Sequence, residues 1–478
     1  MPIARTAATR RALLQGAASL GLSALLPRAA RAGAGATREV RLVPRPARRP
    51  LVGGQHPETE VWAYNGEVPG PEIRVRQGER VRIVVDNRLP TATTVHWHGL
   101  RVPNAMDGVP HLTQPPIASG ESFTYEFDVP DAGTYWYHPH LDGAEQVGRG
   151  LSGAFIVEER APIAVDRDLV WVLSDWRLTG EAQISADFRN RHDMAHDGRL
   201  GNTVTVNGRV PETFVVRGGE RIRLRLVNAA NARIFRLRFA GHQPLVVAYD
   251  GQPVAPHALP GAGIVLGPAM RADLVIDMTG GPGERFDVVD DFYPRRAYRL
   301  VTLAYAGEAL RAQPPKDPVA LPANGLPEPD LARAERHEVV FNGGMMGGMM
   351  TSGRDGMAGM ADMMQMMRSG RMWFINGKAA HGHAMEPMLT LARGRTCLLA
   401  MSNETAWWHP IHLHGHSFRV LSRNGAPTQL REWQDTVLMA PRERVEIAFL
   451  ADNPGDWMFH CHILEHQESG MMGVIRVA

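Results

Sequence analysis

Arg76-Gln77-Gly78-Glu79-Arg80-Val81-Arg82 stands between an Asn65-Gly66 pair and Asn87, and this arrangement occurs three times along the chain. It returns as Asn207-Gly208, Arg217-Gly218-Gly219-Glu220-Arg221-Ile222-Arg223 and Asn228. A less faithful third copy runs Asn376-Gly377, Ala392-Arg393-Gly394-Arg395-Thr396 and Asn403. Each reads as an Asn-Gly turn, a strand, a glycine turn and a second strand whose apolar residues alternate, as Val81, Ile83 and Val85 do. The Asn-Gly pairs lie 142 and 169 residues apart. That is far beyond a solenoid period, so the repetition predicts duplicated domains. The surplus of 27 residues in the second interval matches a compositionally odd stretch from Gly343 to Met372. Three consecutive β-sandwich domains follow, each of roughly 110–150 residues, with one insertion in the third.

The rest of the chain fits an all-β protein. Among 478 residues, 49 Gly and 35 Pro favour short strands and turns, and 44% hydrophobic residues can fill several cores. The boundaries read as a leader over 1–32, a first domain over 33–160 and a second over 161–312. A Pro-rich linker and the start of the third domain occupy 313–342, the insertion 343–372, and the rest of the third domain 373–478. In the leader, Thr9-Arg10-Arg11-Ala12-Leu13-Leu14-Gln15 resembles a twin-arginine export motif, with a small-residue cleavage site at Ala30-Arg31-Ala32. This predicts passage through the twin-arginine export machinery and a periplasmic or otherwise exported protein. The apolar run Leu13–Leu26 is too short and too rich in Ala and Gly to span a bilayer, so no stable membrane insertion is expected after cleavage. The leader holds five arginines and no acids, so its removal takes the formal charge from +2 to −3. A global charge argument for nucleic-acid binding is thereby excluded.

The second halves of the first and third units also correspond. Ala132-Gly133-Thr134-Tyr135-Trp136-Tyr137-His138-Pro139-His140 parallels Pro454-Gly455-Asp456-Trp457-Met458-Phe459-His460-Cys461-His462. On a strand, His460 and His462 face one way and Cys461 the other. A thiolate, an imidazole at His466 and a thioether at Met471 make up most of a blue-copper site, which needs one further histidine. Proline replaces the thiol in the first domain, so no such site can form there. Further pairs stand at His96-Trp97-His98 and within His409-Pro410-Ile411-His412-Leu413-His414. The middle domain has none at corresponding positions and reads as a spacer.

These four clusters, in this order, resemble the multicopper oxidases, and laccase-type enzymes in particular. The resemblance covers essentially the whole chain after the leader and implies cupredoxin-like Greek-key domains and four copper ions. It implies a type 1 copper on His409, Cys461, His466 and Met471, and a type 2 copper on His96 and His412. One type 3 copper would lie on His98, His138 and His462, the other on His140, His414 and His460. Electrons would pass from Cys461 through His460 and His462, and O₂ would be the acceptor. Asp107 stands where the family places a proton-relay acid. Where many bacterial relatives carry an acid after the last type 1 histidine, this chain has Gln467, which cannot titrate. Glu468, taken on a strand, would face away.

The reductant is read from the insertion. Eleven methionines lie between Met345 and Met372, and thioethers favour Cu(I). The stretch resembles that of periplasmic copper-efflux oxidases, with Cu(I) as the reductant in copper tolerance. Phenols or aromatic amines are the alternative, supported by Trp407 and Trp408. In that branch an Asp and a Met precede the first type 1 histidine, where this chain has Thr405 and Trp407. A periplasmic copper-sequestering protein is a reading of another class, against which the full set of O₂-site histidines counts. Cys397 reads as a core thiol, and His192, His196, His381 and His383 as exposed-loop histidines with some capacity for surface copper.

Overall fold

The structure, a computed structural model, describes residues 37–345, 370–380 and 386–478. The leader, most of the Met-rich stretch, His381 and His383 lie outside the described residues. The repeated phrase has the same construction three times. Asn65, Asn207 and Asn376 take φ of 55°, 50° and 51°, and the glycine after each lies at 79°, 74° and 72°. Successive left-handed residues are what the Asn-Gly hairpin turn demands. Each asparagine amide reaches across to the domain's first strand or the residue just after it, accepting from Val43 N, Val172 N and Val340 N at 2.7, 2.8 and 2.8 Å. The asparagine ending each phrase fastens two loop carbonyls: Asn87 those of Thr91 and Ile117, Asn228 those of Arg233 and Leu266, Asn403 those of Trp407 and Ala440.

In each unit the first strand lies parallel to the second strand of the phrase. Arg38–Leu42 pairs with Arg80–Asp86, Arg167–Trp176 with Arg221–Asn228, and Glu335–Gly343 with Thr396–Asn403. The alternating apolar residues enter three cores, represented by Val81 and Ile83, Leu224 and Leu226, and Leu399 and Met401. The middle copy departs from the open alternation expected of a half-solvated sheet, because every residue of Arg221–Asn228 is buried. Its arginines face carboxylates at the boundary with the first domain. Arg223 pairs with Glu159 and Asp273 at 2.7 Å each, and Arg225 with Asp168 at 2.6 Å. Burial of such charges is tolerated only when they are paired this closely.

The histidine-bearing strands are short and central. His96–His98 pairs with Gly133–His138, setting His96 opposite His138. His409–Leu413 pairs with Gly455–Cys461, setting His412 opposite His460 and Ile411 opposite Cys461. Three short helices sit nearby: α1 (Gly143–Gly148), α2 (Arg191–Ala195) and α3 (Leu464–Glu468). The helix α3 corrects the strand reading of this segment, since Glu468 does not alternate away from Gln467. Both line one cavity of about 130 Å³ beside His140. The insertion joins neighbouring strands, because Gly343 pairs with Trp373 and Phe341 with Ile375.

Candidate metal centres

Buried beneath α3, His409 Nδ1, His466 Nδ1 and Cys461 Sγ form a triangle with sides of 3.2, 3.4 and 3.7 Å. Donors about 2.0–2.3 Å from a shared ion stand roughly 3.2–3.7 Å apart, so the triangle has the size of a coordination sphere. The outer nitrogens fix the tautomers. His409 Nε2 donates to Thr405 Oγ1 at 2.8 Å and His466 Nε2 to the His196 carbonyl at 2.6 Å, leaving both Nδ1 lone pairs free. Met471 is fully buried, and its backbone bonds to both Cys461 and His466 at 3.0 Å. Burial lowers the His466 pKa to about 3 and raises the Cys461 thiol well above its usual range. The imidazoles are therefore neutral donors, and a thiolate here needs a cation to balance it.

On the far side of the same strand, eight imidazoles from the first and third domains face one another. Donor atoms of His98, His138 and His462 lie within 4.8 Å of one another, as do those of His140, His414 and His460, and those of His96, His98 and His412. The rings stack crosswise between domains, His96 on His414 at 3.9 Å and His98 on His412 at 3.7 Å. Desolvation, reinforced by neighbouring rings, lowers the pKa values of His98, His138, His140, His414, His460 and His462. His96 Nε2, His412 Nε2 and His98 Nδ1 are buried and have no hydrogen-bond partner among the described residues. Buried polar atoms are rarely left this way, and inward-facing lone pairs mark a place for metal ions.

Two carboxylates hold this box from outside in matching fashion. The backbone oxygen of Asp107 accepts from His96 Nδ1 and its Oδ2 from His414 Nδ1, both at 2.8 Å. The backbone oxygen of Asp435 accepts from His412 Nδ1 at 2.8 Å and its Oδ1 from His98 Nε2 at 3.1 Å. The sequence reading pointed to Asp107 and missed Asp435. Asp107 lies nine residues after His98 and Asp435 twenty-one after His414, so spacing gave no signal for it. Behind Asp435 stands Arg271 of the middle domain, wholly buried, with Nη1 and Nη2 at 2.7 and 2.5 Å from its carboxylate. Burial opposes ionisation of Asp435, but the guanidinium outweighs it and keeps the carboxyl below its usual range. The middle domain thus supplies no donor to the groups above, yet braces them.

At the box's edge, Gln467 Nε2 lies 3.5 Å from His140 Nε2. Glu468 accepts from Ala144 N and pairs with Arg189, both at 2.9 Å. Glu465, also missed in the sequence, is buried and accepts from Asn231 Nδ2 at 3.3 Å, and burial raises its pKa to about 7.

Sequence profiles described as multicopper oxidase match residues 50–162, 167–308 and 357–478. The multicopper oxidase MmcO of Mycobacterium tuberculosis is 31% identical over 95% of this chain and 90% of its own. The chain belongs to the multicopper oxidase family. A solved multicopper oxidase from Pseudomonas thermotolerans superimposes with a TM-score of 0.81 at 35% identity, covering 92% of this chain and 99% of that one. Copper resistance protein A of Escherichia coli is 27% identical over 88% of this chain and 90% of its own. As a multicopper oxidase the protein is an oxidoreductase with four copper ions, and the buried, neutral N and S donors suit that metal.

Proposed function

We propose that the protein couples one-electron oxidation of a reductant to four-electron reduction of O₂ to water, with Cu(I) as the favoured reductant. The observation that carries this is the pairing of a donor triangle containing the Cys461 sulfur with an eight-imidazole box on opposite faces of one strand. His409, Cys461, His466 and Met471 would hold the type 1 copper, and His96 and His412 the type 2. His98, His138 and His462 would hold one type 3 copper, and His140, His414 and His460 the other. When bound, the four coppers collect single electrons and deliver them together to O₂.

The chain's own residues do the rest. The Cys461 backbone continues directly into His460 and His462, so the two donor sets are joined through covalent bonds. Asp107 orients His414 through Oδ2 and His96 through its backbone oxygen, and its place at the box is what supports a relay role for it. Gln467 contributes only an amide at His140. The reading of Cu(I) is supported by the Met-dense stretch and by the relative named for copper resistance. An exported location, reached by the twin-arginine route, belongs to the same proposal. Oxidation of phenols is the second reading, favoured by Trp407, a half-buried indole two residues before His409. Trp408 instead packs on Phe292 at 5.4 Å and joins the middle domain's core.

Oxygen uptake by the copper-loaded protein tests this, with Cu(I) and a phenol compared by kcat/KM. The proposal expects one O₂ consumed per four reducing equivalents without peroxide release, and Cu(I) preferred. Four bound coppers with no uptake would instead establish the sequestering alternative.

A further inference from the structure

The outer edge of His466 is covered by the end of α2, a middle-domain element. Three consecutive carbonyls there accept from the third domain: Met194 O from Trp373 Nε1 at 2.7 Å, Ala195 O from Met345 N at 2.9 Å, and His196 O from His466 Nε2 at 2.6 Å. The side chains of this same turn carry two imidazoles. His192 and His196 are four residues apart, their rings 4.2 Å from centroid to centroid and 30° from parallel. His196 Nδ1 donates to the His192 carbonyl at 2.8 Å, which leaves its Nε2 as a free lone pair. His192 is exposed. Met345, also exposed, is held by its backbone between Ala195 and the Trp407 indole, whose ring lies 5.3 Å from His196. Two imidazoles in ring contact, with an exposed methionine whose backbone is bonded to the same turn, offer the donor types that suit a soft cation.

We propose that His192, His196 and Met345 form a substrate port for Cu(I), from which the electron leaves through the His196 main chain into the His466 ring. The port is assembled on the residue whose carbonyl already bonds that ring, so bound cation and acceptor share one peptide unit and one hydrogen bond. Thr405, an uncharged hydroxyl, occupies the corresponding contact on His409. Each cycle converts one Cu(I) to one Cu(II) and passes on one electron. Four Cu(I), one O₂ and four protons give four Cu(II) and two waters. The electron step rests on the cuprous reading above; binding of the cation does not.

Silver(I), soft and redox-silent, separates the two. In the full-length, copper-loaded protein, acylation of individual histidines by diethyl pyrocarbonate is followed by peptide mass spectrometry with and without Ag(I). At ten times the dissociation constant, modification of His192 and His196 should slow about tenfold while the exposed His56 is unaffected. Equal rates with and without Ag(I) would overturn the port. In steady-state Cu(I) oxidation, His192→Ala and Met345→Leu should each raise KM about tenfold, and unchanged KM in both would remove the port's role in turnover. Protection by Ag(I) in a protein that fails to oxidise Cu(I) would leave the site standing and refute the cuprous reading.

Discussion

His138-Pro139-His140 and His460-Cys461-His462 are the same piece of structure with one residue exchanged. Each ends a strand that begins at a positive-φ glycine, Gly133 or Gly455, and each is followed by a single turn of helix, α1 or α3. His138 Nδ1 donates to the Pro139 carbonyl and His460 Nδ1 to the Cys461 carbonyl, both at 2.9 Å. The two helices pack on each other through Ala144, Val147 and Leu464. The scaffold alone therefore presents a pair of neutral imidazoles inward. The residue between them, Pro139 or Cys461, is one of the differences that set the outer faces apart.

The largest test of this difference is Cys461→Ser. It should abolish the blue colour and lower turnover below detection, and a variant that stays blue would show the thiol to be irrelevant to the chromophore. Acid is the next. His466 titrates near 6.5 when unfolded and about 3 when folded, so the folded copper-free protein holds fewer protons than the unfolded one between those values. Stability is full above pH 6.5 and is lost as pH falls through this window, on the order of 5 kcal/mol for that ring alone. Thermal melts at pH 7 and pH 4 should show this for the metal-free protein, with copper-loaded protein holding to lower pH because metal occupies the lone pairs. Equal acid sensitivity of both forms would contradict the neutral-donor account. The smallest effect is expected from Pro139→Cys. Counting three residues back from His96 and six on from His138 gives Thr93 and Ala144, where the third domain has His409 and His466. The new thiol should lack partners, lower stability by about 0.5–1 kcal/mol and leave the blue absorbance per protein unchanged. A doubled absorbance would show that the thiol suffices.

Much of this was legible in the chain. Asn65, Asn207 and Asn376 announce the turns because few other residues take left-handed φ beside a glycine, and the paired histidines announce the box because strand geometry aims alternate residues together. Asp435, Arg271 and the His196 carbonyl were not legible. Their contacts join segments 164 and 270 residues apart, and nothing local in either segment encodes the partner. The segment after His462 was misread for a different reason. One turn of helix leaves too few residues for a 3.6-residue period to distinguish it from a strand.

The buried contact between Arg271 and Asp435 carries a consequence for how such a protein can change over generations. A domain that donates nothing to the two donor sets described above yet braces one of them through Arg271 cannot be discarded as padding. Loss of the gene segment encoding it would leave the buried Asp435 carboxylate without its guanidinium and loosen the orientation of two imidazoles at once. The middle third of the chain is therefore free to drift on its outer surface but is held at its inner one, and shortened descendants would need another chain to supply that guanidinium.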